Sequence, residues 1–390
     1  MKRVLILGID GYIGYPLALH LLTNDYEVCG LDNLSRRKLV THAGGNSLTP
    51  ISTIYEREKI LKKFSGFIDL IARINMSDSY HVDRVLREYR PDTIVHLAEQ
   101  PSAPWSMKNV RASIETQHAN VIGTLSLLWA MKDNCPDAHL IKLGTMGEYG
   151  TPNCDIPEGV IPTECLSGNR TPAPTSPQHC SMSGLLFPRQ PGSFYHLSKV
   201  HDTYNIKFAC DTWNLRSTDI MQGVVFGVKV DDQLTRFDYD QYFGTVINRF
   251  CAQAISGHPL TVYGRGGQRR GFLPLKDSIQ CLRIAIDNPP KLGEYRTFNQ
   301  FENVYRINGL AKLVSDAAEN LGIMANIEFL PNPRIEEETH YYEPAHQKLL
   351  DLGYKPTTDI TQEVIDLLRD LLPFKDRVNK SCIKPTTTWS

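Results

Sequence analysis

Three glycines set the first limit on how this chain folds. Gly8, Gly11 and Gly14 follow the apolar run Val4 to Leu7 and lead into a helical pattern that continues to about Thr23. A strand that turns through G-x-x-G-x-x-G into a helix is built to hold a pyrophosphate. Glycine permits the tight turn, the close approach of phosphate oxygens and the packing of helix on sheet. The helix N-terminus adds partial positive charge. Tyr12 and Ile13, inside the turn, belong to the same expected site.

Glu27 to Leu31 reads as a second strand, and it ends in Asp32. A carboxylate at that spacing accepts hydrogen bonds from an adenosine ribose and repels a 2′-phosphate, so NAD is the expected cofactor. Asn33 adjoins it. Arg36 is read as a further cofactor ligand; with Arg37 it keeps a phosphorylated ribose as the alternative. Asn75, after the third strand, has two readings, an adenine contact and an ordinary strand-end cap.

Further strands are expected at 67–74, 93–96 and 139–144, with helices near 78–89 and 109–132 between them. Such alternation builds an α/β fold, a doubly wound parallel sheet. The expected division is 1–222 for a dinucleotide-binding domain and 223–390 for a smaller α/β substrate-binding domain. Part of 275–300 is expected to return to the sheet. Two stretches interrupt the pattern. Residues 33–66 form a basic, partly helical insertion. Residues 151–192 carry eight prolines, too many for a helix or central strand. That stretch leads directly into residue 195. It reads as a wall or lid over a site, against the alternative of a passive surface excursion.

Composition narrows the function classes. With 390 residues, 41% hydrophobic content and a net charge of -1, the chain has no basic excess to attract nucleic acid or an anionic membrane. Its apolar runs are too short to span a bilayer. The strand that begins at Val4 leaves no room before it for a signal or transit peptide, so the expected setting is a prokaryotic cytoplasm or, for a processed form, a plastid stroma. Nine cysteines without a C-x-x-C suggest a reducing compartment. Cys154, Cys165, His179 and Cys180 share one loop, but their spacings match no common zinc pattern, and no metal is expected.

The chemistry is carried by Tyr195 and Lys199. Four residues apart, they lie on one face of a helix. An ammonium there favours the ionised phenol, which turns a group of intrinsic pKa near ~10 into a base. Thr145, in a polar segment at the end of the fifth strand, precedes them in the chain. The order of glycine turn, acidic residue, Thr145 and Tyr195/Lys199 resembles extended short-chain dehydrogenases/reductases.

Longer runs narrow the resemblance. Thr145-Met146-Gly147-Glu148-Tyr149-Gly150, Phe194 to Asp202 and Gln222-Gly223-Val224-Val225 resemble the UDP-sulfoquinovose synthase family. So do Gly257 to Gly264, and Pro331-Asn332-Pro333-Arg334 followed by His340-Tyr341-Tyr342. The resemblance implies a conversion of UDP-glucose and sulfite to UDP-sulfoquinovose with bound NAD. Carbon 4 is oxidised, the carbon 6 hydroxyl is lost as water, sulfite adds, and the hydride returns. In formal class such an enzyme is expected among the hydrolases. Its product feeds sulfolipid or sulfonated glycans, and a homodimer is expected.

Under that resemblance Tyr195 is the base and Lys199 also holds the nicotinamide ribose. Glu148 and His196 compete for the proton transfers at carbons 5 and 6. Asn120 corresponds to the polar fourth member of the dehydrogenase site. Arg270 and Arg334 are expected on the diphosphate, Val262 and Tyr263 at the uracil, and Gln100 and Gln222 at the sugar. Several positions depart from the family pattern. Met221 stands in place of Asn, Pro101 in place of Arg, Asn75 in place of Asp, and Pro274 in place of a small polar or acidic residue. The 4,6-dehydratases carry an Asp-Glu pair after the Thr, and Met146-Gly147 replaces it here. The rival readings are a UDP-hexose 4-epimerase and a non-catalytic NAD sensor, which would not need both Tyr195 and Lys199.

Overall fold

The computed structural model describes residues 1–161, 185–334 and 336–389. Its first strand, Arg3–Leu7, shows how the molecule is layered. Side chains alternate across a strand, and here Val4 and Ile6 enter one hydrophobic core while Leu5 and Leu7 enter another. A strand buried on both faces belongs in the middle of a parallel sheet.

The sheet has seven strands. In spatial order they are Tyr295–Gln300, Arg216–Gln222, His139–Thr145, Thr93–His96, Arg3–Leu7, Glu27–Asp32 and Phe67–Ala72, all parallel. This is the doubly wound arrangement expected from the sequence. The order reverses beside Arg3–Leu7, which pairs with Glu27–Asp32 on one side and Thr93–His96 on the other. A crevice opens at such a reversal, outside the carboxyl ends of the strands. Register aligns the neighbouring ends: Leu7 lies beside His96, Thr145 beside Gln222, and Gln222 beside Gln300.

The stretch 275–300 supplies the helix Leu275–Asp287 and the edge strand Tyr295–Gln300. Pro274 is buried where the strand Arg269–Pro274 meets that helix, a point where its missing N–H costs nothing. A third core gathers around the helices Val246–Ile255, Ile307–Glu319 and Ile360–Leu371. A parallel pair, Leu260–Tyr263 with Ile327–Leu330, lies in this part of the chain. So does a three-stranded sheet in which Arg269–Pro274 is flanked by Asn303–Arg306 and Val224–Phe226.

The insertion after the second strand holds two helices, Ser35–His42 and Ile54–Leu61. Thr53 and Glu56 form a reciprocal cap on the second. Leu48, between them, is buried in the third core, and the Thr49 hydroxyl donates to the Thr235 carbonyl at 2.6 Å. The insertion therefore ties the glycine turn to the later part of the chain. Of the proline-rich stretch, Pro162, Pro172, Pro174 and Pro177 lie outside the described residues, as do Cys165, His179 and Cys180. Among the described residues no group of three or more His, Cys, Asp or Glu is placed to hold a metal. No described helix is long and apolar enough to cross a membrane.

Candidate active site

A cavity of about 870 Å³ runs along the carboxyl ends of the strands. That volume lies within the range of small-molecule and cofactor sites. Gly8, Gly11, Tyr12, Ile13 and Gly14 line its first part. Gly8 has φ +89°, and a Cβ there would sit 2.8 Å from the Leu97 carbonyl carbon. A Cβ on Gly14 would fall 2.1 Å from the Gly8 oxygen. The cradle thus admits only glycine at these two points, as a backbone pressed against a pyrophosphate requires. Tyr12 turns its hydroxyl away, donating to the Gly227 carbonyl at 2.7 Å.

Asp32 and Asn33 line the same end. The Asp32 carboxylate accepts from the backbone N–H of Asp10 at 2.8 Å and of Leu34 at 2.6 Å. Burial, and then the neighbouring Asp10 carboxylate, push its pKa up to about 6. The two arginines that kept a 2′-phosphate open are already paired. Arg37 forks onto Asp10 at 2.6 and 2.7 Å, and Arg36 bonds Asp238 at 2.9 Å while lying over Phe243. Arg36 still lines the cavity. Asn75 lines it too, accepting from the Asn33 amide at 2.6 Å. The residues present fit NAD with an unphosphorylated ribose.

Thr145, Tyr195, Lys199 and Gln222 form the middle of the cavity wall. Thr145 ends its strand, and Tyr195 and Lys199 come from the first turns of the helix Phe194–Trp213. Ser193 caps that helix, accepting from the His196 N–H at 3.2 Å. Burial pushes the Tyr195 phenol well above its ordinary range, and the Glu148 charge adds to this. A hydrogen bond with Thr145 works the other way. The expected lowering by Lys199 is not what dominates in this pocket. Lys199 donates to the Leu143 carbonyl at 2.7 Å and contacts Glu99. Burial lowers the ammonium to about 8, with Asp202 and Asp219 opposing the fall.

Glu148 does not line the cavity. It is fully buried, 3.3 Å from the Lys142 ammonium, and accepts from the Thr203 hydroxyl at 3.0 Å. Arg189 stands 3.7 Å from it on the other side. Burial raises its pKa, against the pull of Lys142. His196 is packed on Gly147, where a Cβ would come within 2.4 Å of its Nε2. Its Nδ1 is 3.0 Å from the Ser193 hydroxyl. Burial, helped by Arg334 and Arg270, holds its pKa down to about 3, so the imidazole is neutral at neutral pH.

Asn120 is buried in a π-helical turn, His118–Ile122, a feature often found at functional sites. It accepts from the Gln100 N–H at 2.8 Å and donates to the Ser198 hydroxyl at 2.8 Å, joining the loop after the fourth strand to the Tyr195 helix. Gln100 lines the cavity with its amide bonded to Thr116 at 2.7 Å. Gln222 donates to Ser278 and Gln300. Tyr263, Arg270 and Arg334 line the far end, whereas Val262 is fully buried in the third core. Arg249 holds the Tyr263 hydroxyl at 2.9 Å. Arg270 is paired with Glu336 and lies 2.9 Å from His340 Nε2. Pro101 is an exposed member of the cavity wall, and Met221 is buried against Met146 and Tyr149.

Sequence reasoning missed Glu99, Lys142, Glu336 and Trp389. Only Lys142 had a local signal, a lone charge in the apolar strand His-Leu-Ile-Lys-Leu.

Comparison with known proteins identifies the family and the fold. Residues 4–299 match the NAD dependent epimerase/dehydratase family. Over its whole length the chain is 46% identical to the chloroplastic UDP-sulfoquinovose synthase of Spinacia oleracea, covering 79% of that protein. It is 41% identical to the UDP-sulfoquinovose synthase of Sulfolobus acidocaldarius, with 99% of this chain and 97% of the relative aligned. Among solved structures, the UDP-glucose 4-epimerase of Thermotoga maritima with UDP-glucose superposes with a TM-score of 0.69 at 20% identity, over 94% of this chain and 98% of that one. The UDP-glucuronic acid 4-epimerase of Bacillus cereus with UDP-glucuronic acid and NAD gives 0.69 at 20% identity, over 95% and 100%. At that identity they speak for the fold. More distant relatives are named as dehydratases, a decarboxylase and an epimerase, names that sit poorly with the hydrolase class expected from the sequence.

Proposed function

The chain belongs to the UDP-sulfoquinovose synthase family, within the NAD dependent epimerase/dehydratase family, and we propose that it joins sulfite to UDP-glucose in the cavity described above. The observation that carries this reading is one wall that presents Thr145, Tyr195 and Lys199 between a dinucleotide cradle and two arginines. The glycine turn and Asp32 would hold NAD, which would supply a hydride acceptor and a positive charge.

Tyr195 takes the proton of the carbon 4 hydroxyl as its hydride leaves, and Thr145 shares the hydrogen bond. The resulting ketone acidifies the carbon 5 proton. That proton goes to Glu148 or His196, neither of which lines the cavity. Glu148 is committed to Lys142, Thr203 and Arg189, and burial holds His196 down to about 3, which makes it a weak base. The proton taken from carbon 5 leaves with the carbon 6 hydroxyl as water, the sulfur of bisulfite bonds to carbon 6 of the enone, and the bisulfite proton goes to carbon 5. A hydride returned to the carbon 4 ketone, with the Tyr195 proton returned to its oxygen, leaves no net oxidation. Arg270 and Arg334 match the diphosphate oxygens, with Tyr263 beside the base. Residues 223–390 contribute most of the sugar-nucleotide side. We place the enzyme in a prokaryotic cytoplasm or a plastid stroma, and as a homodimer.

Mass spectrometry of the products from UDP-glucose and sulfite tests the reading. A sulfonated UDP-hexose is expected, at least ~100-fold slower with Tyr195→Phe, the usual scale for losing a general base. UDP-galactose with sulfite unconsumed would move the chain to the epimerases.

A further inference from the structure

The last described residues return to the cavity. Cys382 and Ile383 are buried in the third core, and from there the chain continues along the cavity wall. Pro385, Thr387 and Trp389 line the cavity. Three separate anchors hold this segment down. The Thr386 hydroxyl donates to the Gln241 side chain at 2.9 Å, and the hydroxyls of Thr387 and Tyr242 lie 3.0 Å apart. Trp389 then pairs with Arg334 in a short β-bridge, its N–H donating to the Pro333 carbonyl at 3.1 Å.

The indole of Trp389 makes two contacts that bear on the chemistry. The Arg334 guanidinium carbon lies 5.3 Å from the ring centroid, within range of a cation–π interaction. On its other edge the indole Nε1 donates to the Gly192 carbonyl at 3.2 Å. Gly192 precedes Ser193, the cap of the helix that carries Tyr195. One side chain therefore links the arginine at the far end of the cavity to the start of the catalytic helix. The Nε of Arg334 is buried with no hydrogen-bond partner among the described residues, a donor left for an anion.

We propose that residues 385–389 form a strap over the sugar-nucleotide site, with Trp389 as a positioning residue. Trp389 holds the Arg334 fork flat toward a diphosphate. The strap closes the far end of the cavity, so that the sugar nucleotide stays in place until the hydride returns. This rests on the reading of the cavity as a UDP-sugar site.

The test uses NAD-loaded protein, UDP-glucose as the probe, and three variants. They are Trp389→Ala, Trp389→Phe and a chain ending at Lys384, which keeps the buried Cys382 and Ile383. Calorimetry is expected to show roughly tenfold weaker UDP-glucose binding for Trp389→Ala and the shortened chain. Trp389→Phe keeps the ring and is expected to restore most of the affinity. Cofactor content and thermal midpoint stay at wild-type values. With UDP-glucose and no sulfite, the shortened chain is also expected to gain absorbance at 340 nm, from cofactor left reduced after the ketone escapes. Binding within twofold of wild type in both Trp389→Ala and the shortened chain would overturn the strap while leaving the site reading intact. A wild-type protein that ignores UDP-glucose would overturn both.

Discussion

Asp32 gives the cofactor site a pH dependence of definite sign. Burial is the largest cause of its raised pKa, about 6, and the Asp10 carboxylate adds to it. Above that value the carboxylate accepts ribose hydroxyls, and below it a proton occupies an acceptor. NAD affinity should therefore fall as pH drops through about 6, by roughly tenfold at one unit below. The linkage to stability runs the opposite way. A carboxyl whose pKa rises on folding weakens the fold at neutral pH, and that penalty fades as pH falls toward its unfolded value. Fluorescence titration of NAD from pH 5 to 8 would check this against Asp32→Asn, which should bind more weakly with no slope. Equal slopes in the two proteins would rule Asp32 out as the source. Tyr195 teaches the complementary lesson. The sequence shows the Lys199 partner four residues on, but whether partner or burial wins depends on how much of the protein encloses the phenol. Here burial does.

At the level of elements, the strand His139–Thr145 and the helix Phe194–Trp213 bury charge between them. Lys142 bonds Glu148 and Asp219 at 3.3 Å each, the Thr203 hydroxyl at 2.9 Å and the Lys199 carbonyl at 3.0 Å. Burial works against both carboxylates, yet Lys142, Thr203 and Tyr295 hold Asp219 below its ordinary range. Such a group stabilises the fold above its unfolded pKa and loses that contribution as pH falls. Lys142→Met would take the ion-pair partner from buried Asp219 and leave Glu148 with Arg189 alone, a loss of about 3–5 kcal/mol at neutral pH. The loss should shrink toward pH 5.5 as those carboxylates take up protons. Urea unfolding at pH 7.5 and 5.5 measures it, and a pH-independent loss below about 1 kcal/mol would contradict the account. This network also explains why Glu148 was hard to place from the sequence. Its spacing from Thr145 suggests a carboxylate at the substrate, but the 3₁₀ turn Met146–Glu148 carries it behind the cavity wall, to Lys142. Glycine turn, acidic strand end and Tyr-x-x-x-Lys were legible because each is local. Glu99, Glu336 and Trp389 reach the cavity only through contacts between distant segments, which no local pattern encodes.

Across the whole molecule, strand–helix alternation made the parallel sheet legible, and apolar runs marked the strands. The same rule identifies surfaces that the single chain leaves uncovered. Tyr204 and Phe208 stand one turn apart on the Tyr195 helix, 53% and 61% exposed. The helix Gly123–Asn134 packs beside it and presents Trp129, 52% exposed. Trp129 lies 4.8 Å from Trp213 between ring centroids, and Trp213 lies 6.5 Å from Phe208, so the aromatics form one patch. Ile122 and Leu125 extend it along the face that carries Trp129. Contiguous exposed apolar surface on two adjacent helices marks an association site. Two copies related by a two-fold axis would cover it with their own matching face, giving a four-helix contact. Light scattering should then find twice the 44.1 kDa of one chain. Phe208→Glu combined with Trp129→Glu should shift the protein to the single-chain mass. Both side chains are more than half exposed in the monomer, so its own fold should lose only their contacts with Trp213, about 0.5–1.5 kcal/mol per site. Since the patch lies on the helix that carries Tyr195, the monomer should also lose turnover before it loses NAD. A wild-type protein that elutes as one chain, or a double variant that stays paired, would show that these helices meet something other than a second copy.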